Sequence, residues 1–252
     1  MPEAALEPLA RSLNLRDLGG IPAGEGRQVR RGTLYRSAAL GELTAPERAA
    51  LSSLGVRTVV DLRNNDERAA QPTPWAELGW GGYWARDYRR PGHGDMGHIF
   101  TNDTLTHERS LDFMLKFYRD VAYDHVEAIR RLFRAVADGE GPVLFHCTSG
   151  KDRTGASAAL LLSAAGASRE AIVADYLATE AFDILASPAF RNSPPERREA
   201  LRPIYSVHAS YLDTMFDAID ARHGSVEAYL RDVLELQPGD LAALREQLVC
   251  QA

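Results

Sequence analysis

Residues 142–155, PVLFHCTSGKDRTG, put Cys147 at the end of an apolar run, Gly150 three positions later and Arg153 three beyond that. The spacing alone says little, because 27 of the 29 basic residues are arginines and only Lys116 and Lys151 are lysines. The context says more. A buried strand delivers Cys147 to the edge of a sheet, Gly150 permits a tight backbone, and a helix is expected to start just after Arg153. Amides of Thr148, Ser149, Gly150, Lys151, Asp152 and Arg153 turned inward form a cradle for an anion, and a helix N-terminus adds partial positive charge. Such surroundings draw a cysteine thiol from ~8.5 toward the ~3.5–7.5 range, so that Cys147 reads as a thiolate nucleophile. Arg153 offers a planar fork for two phosphoryl oxygens. That chemistry calls for no metal and no cofactor. His146 is placed to brace the loop, and the Thr154 hydroxyl to hydrogen-bond the sulfur when it leaves a phosphorylated intermediate.

Lys151 and Asp152 pull in opposite directions. The lysine adds a charge suited to a polyanionic headgroup, or is a solvated cation; Asp152 repels a dianion unless it points away, pairs with Lys151 or carries a proton. The reading adopted is that Asp152 orients Lys151 and Arg153 and assists acid–base chemistry. Asp61 and Arg63, at the end of the strand VVDLR, are expected to brace the phosphate loop. Other readings of the loop are weaker. An inert core cysteine is the bland one; a nucleotide-binding Walker loop is excluded by Asp152 after Gly-Lys and by Phe145 where a first glycine belongs; a sulfurtransferase is disfavoured by Arg-Thr-Gly at the helix start. GHGDMG at 92–97 matches a dinucleotide fingerprint, but no helical pattern follows. His93, Asp95 and His98 lack a second cluster to complete a metal site. Arg86, Arg89 and Arg90 offer a positive patch for a phosphorylated substrate, or a solvated face.

The elements that must hold these residues follow from pattern. Thr44 and Glu47 are spaced as a capping box for a helix over 45–53. VRTVVDLR and GGYWARDY read as two strands of one sheet, and GPVLFHC as a short buried third. Apolar residues from Leu111 to Val136 recur at helical spacing, as one long helix over 110–137 or two joined near Tyr123. GASAALLLSAAG is apolar on every face, as in a central helix. Further helices are expected over 168–186, 205–222 and 226–235, with a last one after Gly239. Proline and arginine in 187–203 interrupt them and mark a mobile cover. Strands interleaved with helices give an α/β architecture, a central mainly parallel sheet flanked by helices.

A chain of 252 residues fits a single domain over 1–252. A net charge of −6 opposes nonspecific attraction to nucleic acid or to an anionic membrane. Two cysteines 103 positions apart form no disulfide or zinc framework. No signal peptide or membrane span is recognisable, so a cytoplasmic protein without integral membrane association is expected.

HCTSGKDRTG resembles the signature of the cysteine-dependent protein tyrosine phosphatase superfamily. Its Gly-Lys-Asp-Arg form is similar to that of the atypical bacterial tyrosine phosphatases, which include secreted mycobacterial members, some of them active on phosphoinositides. NLRDLGG at 14–20, LYRSAAL at 34–40, VVDLR at 59–63, AIVADYL at 171–177 and the stretch 211–234 also resemble family segments. The resemblance implies Cys147 as nucleophile, Arg153 as phosphate clamp, a phosphorylated protein or phosphoinositide as substrate, and a helical lid within about 180–204. It also implies a general acid just past GGYWAR, where Asp87 falls, with Asp95 as rival.

Overall fold

The computed structural model describes residues 6–88 and 104–252. The chain opens with helix α1 (Glu7–Leu13), which Asn14 ends in a left-handed conformation, φ 50°. Strands β1 (Arg16–Asp17), β2 (Arg27–Val29) and β3 (Leu34–Ser37) follow. Helix α2 (Ala45–Ser52) starts at the expected Thr44–Glu47 capping box. After β4 (Thr58–Asp61) comes α3 (Asn65–Ala70), with a second capping box between Asn64 and Glu67, and then β5 (Gly82–Ala85).

The long amphipathic stretch is two helices, α4 (His107–Asp124) and α5 (Val126–Ala137), broken at His125. Strand β6 (Val143–His146) leads through the Cys147 loop into α6 (Asp152–Ala165). That helix begins one residue before Arg153, not after it, so the arginine lies in its first turn. Helix α7 (Arg169–Leu177) stops short of 186, because the chain then passes into 3₁₀ turns at Ala178–Ala181 and Ile184–Ala186. Two short helices, α8 (Pro188–Arg191) and α9 (Pro195–Leu201), and a 3₁₀ turn at Arg202–Tyr205 complete this segment. Helices α10 (Ala209–His223), α11 (Val226–Asp232) and α12 (Pro238–Leu248) precede a last strand, β7 (Val249–Gln251).

The fold is α/β. Five strands form a sheet in the order β1-β3-β6-β4-β5, parallel except for β1, and β2 pairs with β7 in a separate two-stranded sheet. Side chains alternate across the central sheet. Leu34, Val60, Val143 and Phe145 face a core built on α4, α5, α6 and α10; Tyr35, Val59 and Leu144 face a smaller one with Leu51, Leu78 and Trp80. Helix α6 runs through the larger core with both flanks buried, which explains its lack of a polar face. The parallel register sets Ser37, His146, Asp61 and Ala85 abreast at the carboxyl ends of four strands. Ligands of such sheets bind just beyond that row.

Candidate active site

The loop leaving β6 is the first structure past that row. Cys147 is only 2% exposed. Leu62 N–H donates to His146 O at 2.8 Å and Ala39 N–H to Thr148 O at 2.9 Å, so the neighbouring strand ends hold the loop from both sides. Gly150 has φ +66°, and a Cβ there would stand 2.5 Å from Ser37 O. Only glycine fits both demands.

His146 is fully buried beneath the loop. Its Nδ1–H donates to Cys147 O at 3.1 Å, while Nε2 lies 3.2 Å from Thr73 Oγ1 and 3.5 Å from Asp61 Oδ2. Burial lowers its pKa below the usual 6.5 despite the nearby Asp61 charge. It is therefore neutral at pH 7 and braces the loop. Asp61 and Arg63 form a buried ion pair: Arg63 Nε donates to Asp61 Oδ1 at 2.9 Å and Nη2 to Oδ2 at 2.7 Å. Tyr83 adds a hydroxyl at 2.7 Å. Burial pushes the Asp61 carboxyl up, but the charge that His146 gains in acid, together with Arg63 and Tyr83, outweighs it and holds the carboxyl well below the carboxylate range.

Arg153 projects from the first turn of α6 onto Glu67. Its Nη1 donates to Glu67 Oε2 at 2.7 Å and Nη2 to Oε1 at 2.6 Å, a two-pronged ion pair. Glu67 also receives the Thr148 hydroxyl and, at 2.9 Å, the Asn64 N–H that starts α3. Burial raises the Glu67 pKa, but these donors, Arg153 first, bring it down to about 2. Burial works against the Arg153 charge, yet the hydrogen bonds to Glu67 and its negative charge raise the pKa. The guanidinium is thus fixed beside the sulfur as a permanent cation.

The remaining charges of the loop neutralise each other. Lys151 is 1% exposed; its Nζ lies 2.8 Å from Asp152 Oδ1 and donates to Ser206 O at 3.0 Å. Asp152 also accepts the Tyr118 hydroxyl at 2.9 Å, which in turn lies 2.7 Å from Tyr176 Oη. The Thr154 hydroxyl is buried without a hydrogen-bond partner among the described residues. An arginine held as a fork, a cysteine in a loop closed by glycine, and a helix N-terminus below both can grip a tetrahedral oxyanion with a sulfur in line behind it.

The whole of residues 7–250 matches the tyrosine phosphatase family. The chain belongs to the tyrosine phosphatase family. It is similar to a Cupriavidus necator protein with a provisional tyrosine-protein phosphatase name, at 37% identity over 92% of this chain and 84% of the relative. It is 30% identical to the triple specificity protein phosphatase PtpB of Mycobacterium tuberculosis, over 90% of this chain and 94% of that one. A tyrosine-protein phosphatase of Nostoc commune is 29% identical over 84% and 73%. These bacterial relatives and the family match make the chain a protein tyrosine phosphatase, a hydrolase of phosphate esters.

In this phosphatase the strand-end row brings together Cys147, His146, Asp61, Arg63 and the residues from Thr148 to Thr154. Asp87 stands apart: it is exposed, two residues past β5, and accepts from Asn65 Nδ2 at 2.6 Å. Arg86 donates to Asp124 O at 3.1 Å and stacks on Tyr88 at 3.6 Å. Arg89, Arg90, His93, Asp95 and His98 lie outside the described residues. Among the described residues no cluster of three metal-ligating side chains occurs, and no helix is long and apolar enough to cross a membrane. A cavity of about 170 Å³ touches the phosphate loop only at Lys151 and is otherwise walled by the 178–207 segment, including Glu180, Phe182, Asp183, Ile184 and Tyr205. Glu67 escaped the sequence reading. Its one visible signal, the Asn64–Glu67 capping spacing, announced a helix start and not a partner 86 positions away.

Proposed function

We propose that this phosphatase dephosphorylates phosphotyrosine in proteins through a cysteinyl-phosphate on Cys147. The thiolate attacks phosphorus in line; the S–P bond forms as the ester P–O bond breaks, and Asp87 delivers its proton to the leaving phenolic oxygen. Arg153 and the loop amides hold the three phosphoryl oxygens through the transition state. Water, deprotonated by Asp87 in return, then attacks phosphorus; the P–S bond breaks and inorganic phosphate leaves. The Thr154 hydroxyl hydrogen-bonds the departing sulfur. Residues 180–204 serve as a lid over the site.

The observation that carries this reading is the fork of Arg153 locked on Glu67 beside Cys147, since a half-buried arginine so held is aimed before substrate arrives. Lys151 has two of its three hydrogens committed to Asp152 and Ser206, which favours phosphotyrosine over a phosphoinositide that needs a further cation. The test is phosphate release from a phosphotyrosine peptide and from a short-chain phosphoinositide, in reductant and EDTA, by wild type and Cys147→Ser. Turnover of the peptide that survives EDTA and vanishes in the serine variant is expected. Faster release from the lipid moves the substrate assignment to phosphoinositides, and undiminished turnover by Cys147→Ser ends the thiolate mechanism.

A further inference from the structure

The orientation of the loop amides is set by side chains outside the loop. A trans peptide unit points its C=O and the next N–H in opposite directions. Each carbonyl drawn outward therefore turns the following amide inward. Cys147 O is taken by His146, and Thr148 O by the Ala39 amide. The next two carbonyls are taken by side chains. Ser149 O accepts from Asn14 Nδ2 at 3.0 Å, and Gly150 O from Arg36 Nη2 at 2.8 Å.

Those two peptide units flank Gly150, the residue whose backbone crosses between conformations most freely. Inward amides with no anion among them repel one another, so these units have both the freedom and a reason to flip. The two anchors sit where a flip is easiest. They are themselves over-determined. Arg36, with no solvent exposure, donates Nη1 to Asp175 Oδ2 at 2.5 Å; Asp175 Oδ1 accepts Arg16 Nε at 2.8 Å; Arg16 Nη1 reaches back to Asn14 Oδ1 at 2.7 Å. Asn14 is 1% exposed, and its left-handed backbone, φ 50°, suits asparagine. One buried and one half-buried arginine around a single buried aspartate leave a net positive charge that few interiors tolerate. It makes sense beneath an anion site. NLRD, LYRS and ADYL thus converge from three distant parts of the chain on two carbonyls.

We propose that Asn14 and Arg36 are positioning residues of the phosphatase: held by Arg16 and Asp175, they fix the two peptides around Gly150 so that the Gly150 and Lys151 amides face the anion before it binds. The proposal rests on the phosphate-ester reading above. The informative variant is Asn14→Asp, which keeps the size, the acceptor for Arg16 and the tolerance of a left-handed backbone, but replaces the donor to Ser149 O with an oxygen.

The probe is inorganic phosphate, read by its protection of Cys147 from iodoacetamide. Asn14→Asp is expected to weaken that protection about tenfold and to slow alkylation at pH 6, with Tm within about 3 °C of wild type, since one hydrogen bond is exchanged for a repulsion. Equal protection and alkylation in the two proteins would sink the proposal. Wild type supplies a second reading even if the variant fails to fold. On phosphate addition its Gly150 and Lys151 amide NMR resonances should move downfield while the Asn14 side-chain amide stays put; an Asn14 signal that appears only with phosphate means that the anion builds the loop, and overturns the proposal. Wild type that neither binds phosphate nor hydrolyses a phosphotyrosine peptide brings down the phosphatase mechanism itself, whereas binding unaffected by Asn14→Asp brings down only this inference.

Discussion

The loop after β6 and the stretch after β5 leave the same row of strand ends, yet they are built differently. Past β6, the carbonyls from His146 to Gly150 all meet donors, and Arg153, Lys151 and Asp152 have specific charged partners. Past β5, Asp87 is exposed and held through the Asn65 amide, whose own carbonyl accepts the Tyr88 N–H at 2.9 Å. The difference matches the two tasks proposed for them. An oxyanion cradle works by being preorganised, so its strain and desolvation must be met before substrate arrives. A general acid must reach an oxygen whose position varies with the substrate, and an exposed group on a short tether can follow it.

That contrast can be attacked from both sides. Arg153→Lys is expected to lose the most, about a thousandfold in kcat on a phosphotyrosine peptide, because a point charge replaces a fork; a loss below tenfold would mean that the preorganised half is not where the barrier is lowered. Asp87→Asn should cost about a hundredfold in kcat and flatten the basic limb of the pH–rate profile. An intact basic limb would move the acid to another residue, Asp95 or Asp152.

Glu67→Gln should lower kcat/KM roughly tenfold, with most of the effect in KM, as Arg153 loses its locked aim. It also carries a pH signature. The Glu67 pKa falls from an ordinary 4.5 to about 2 on folding, so its stabilisation is complete above 4.5 and is lost as pH drops toward 2. The Tm of Glu67→Gln should therefore fall less steeply than that of wild type between pH 5 and pH 2.5. Parallel curves would show that the ion pair adds nothing to the fold. The smallest effect is expected from Tyr118→Phe, which leaves Asp152 paired with Lys151: about twofold on kcat/KM and about 1 kcal/mol of stability by urea titration.

How far the sequence disclosed this arrangement depended on the range of the interactions. Cys147, Gly150 and Arg153 lie within seven residues, and the loop that joins them follows from local geometry, so their grouping was legible. So were β4, β5 and β6, the α4–α5 stretch and the α2 capping box, where the pattern is continuous over a window. Helix α3 was missed because six residues leave no periodicity. Strand β1 has two residues and acquires its identity only by pairing with β3. The end of α7 was placed too late, since ATEAF continues a helical composition while the backbone tightens into 3₁₀ turns. Glu67, Tyr118, Asn14 and Arg36 contact the loop from 34 to 135 positions away. Nothing local marks them as partners of the loop; Asn14 and Arg36 even lie in segments that resembled the family, but resemblance named no partner.

The Asn64–Glu67 capping box has a consequence for genetics. One carboxylate both accepts the N–H of Asn64, the residue that caps α3, and holds the arginine, and the Asn64 side chain in turn accepts the Glu67 N–H at 2.8 Å. Among the described residues Asn64 makes no hydrogen bond to the phosphate loop, and the proposed reaction gives it no step. In a saturation scan scored by growth or by dephosphorylation, it should nonetheless behave as an active-site position, tolerating aspartate, serine, threonine and glycine, which also start helices, and disfavouring alanine and the larger apolar residues. Its intolerance would mark a joint between folding and chemistry, inherited as a unit and lost as one.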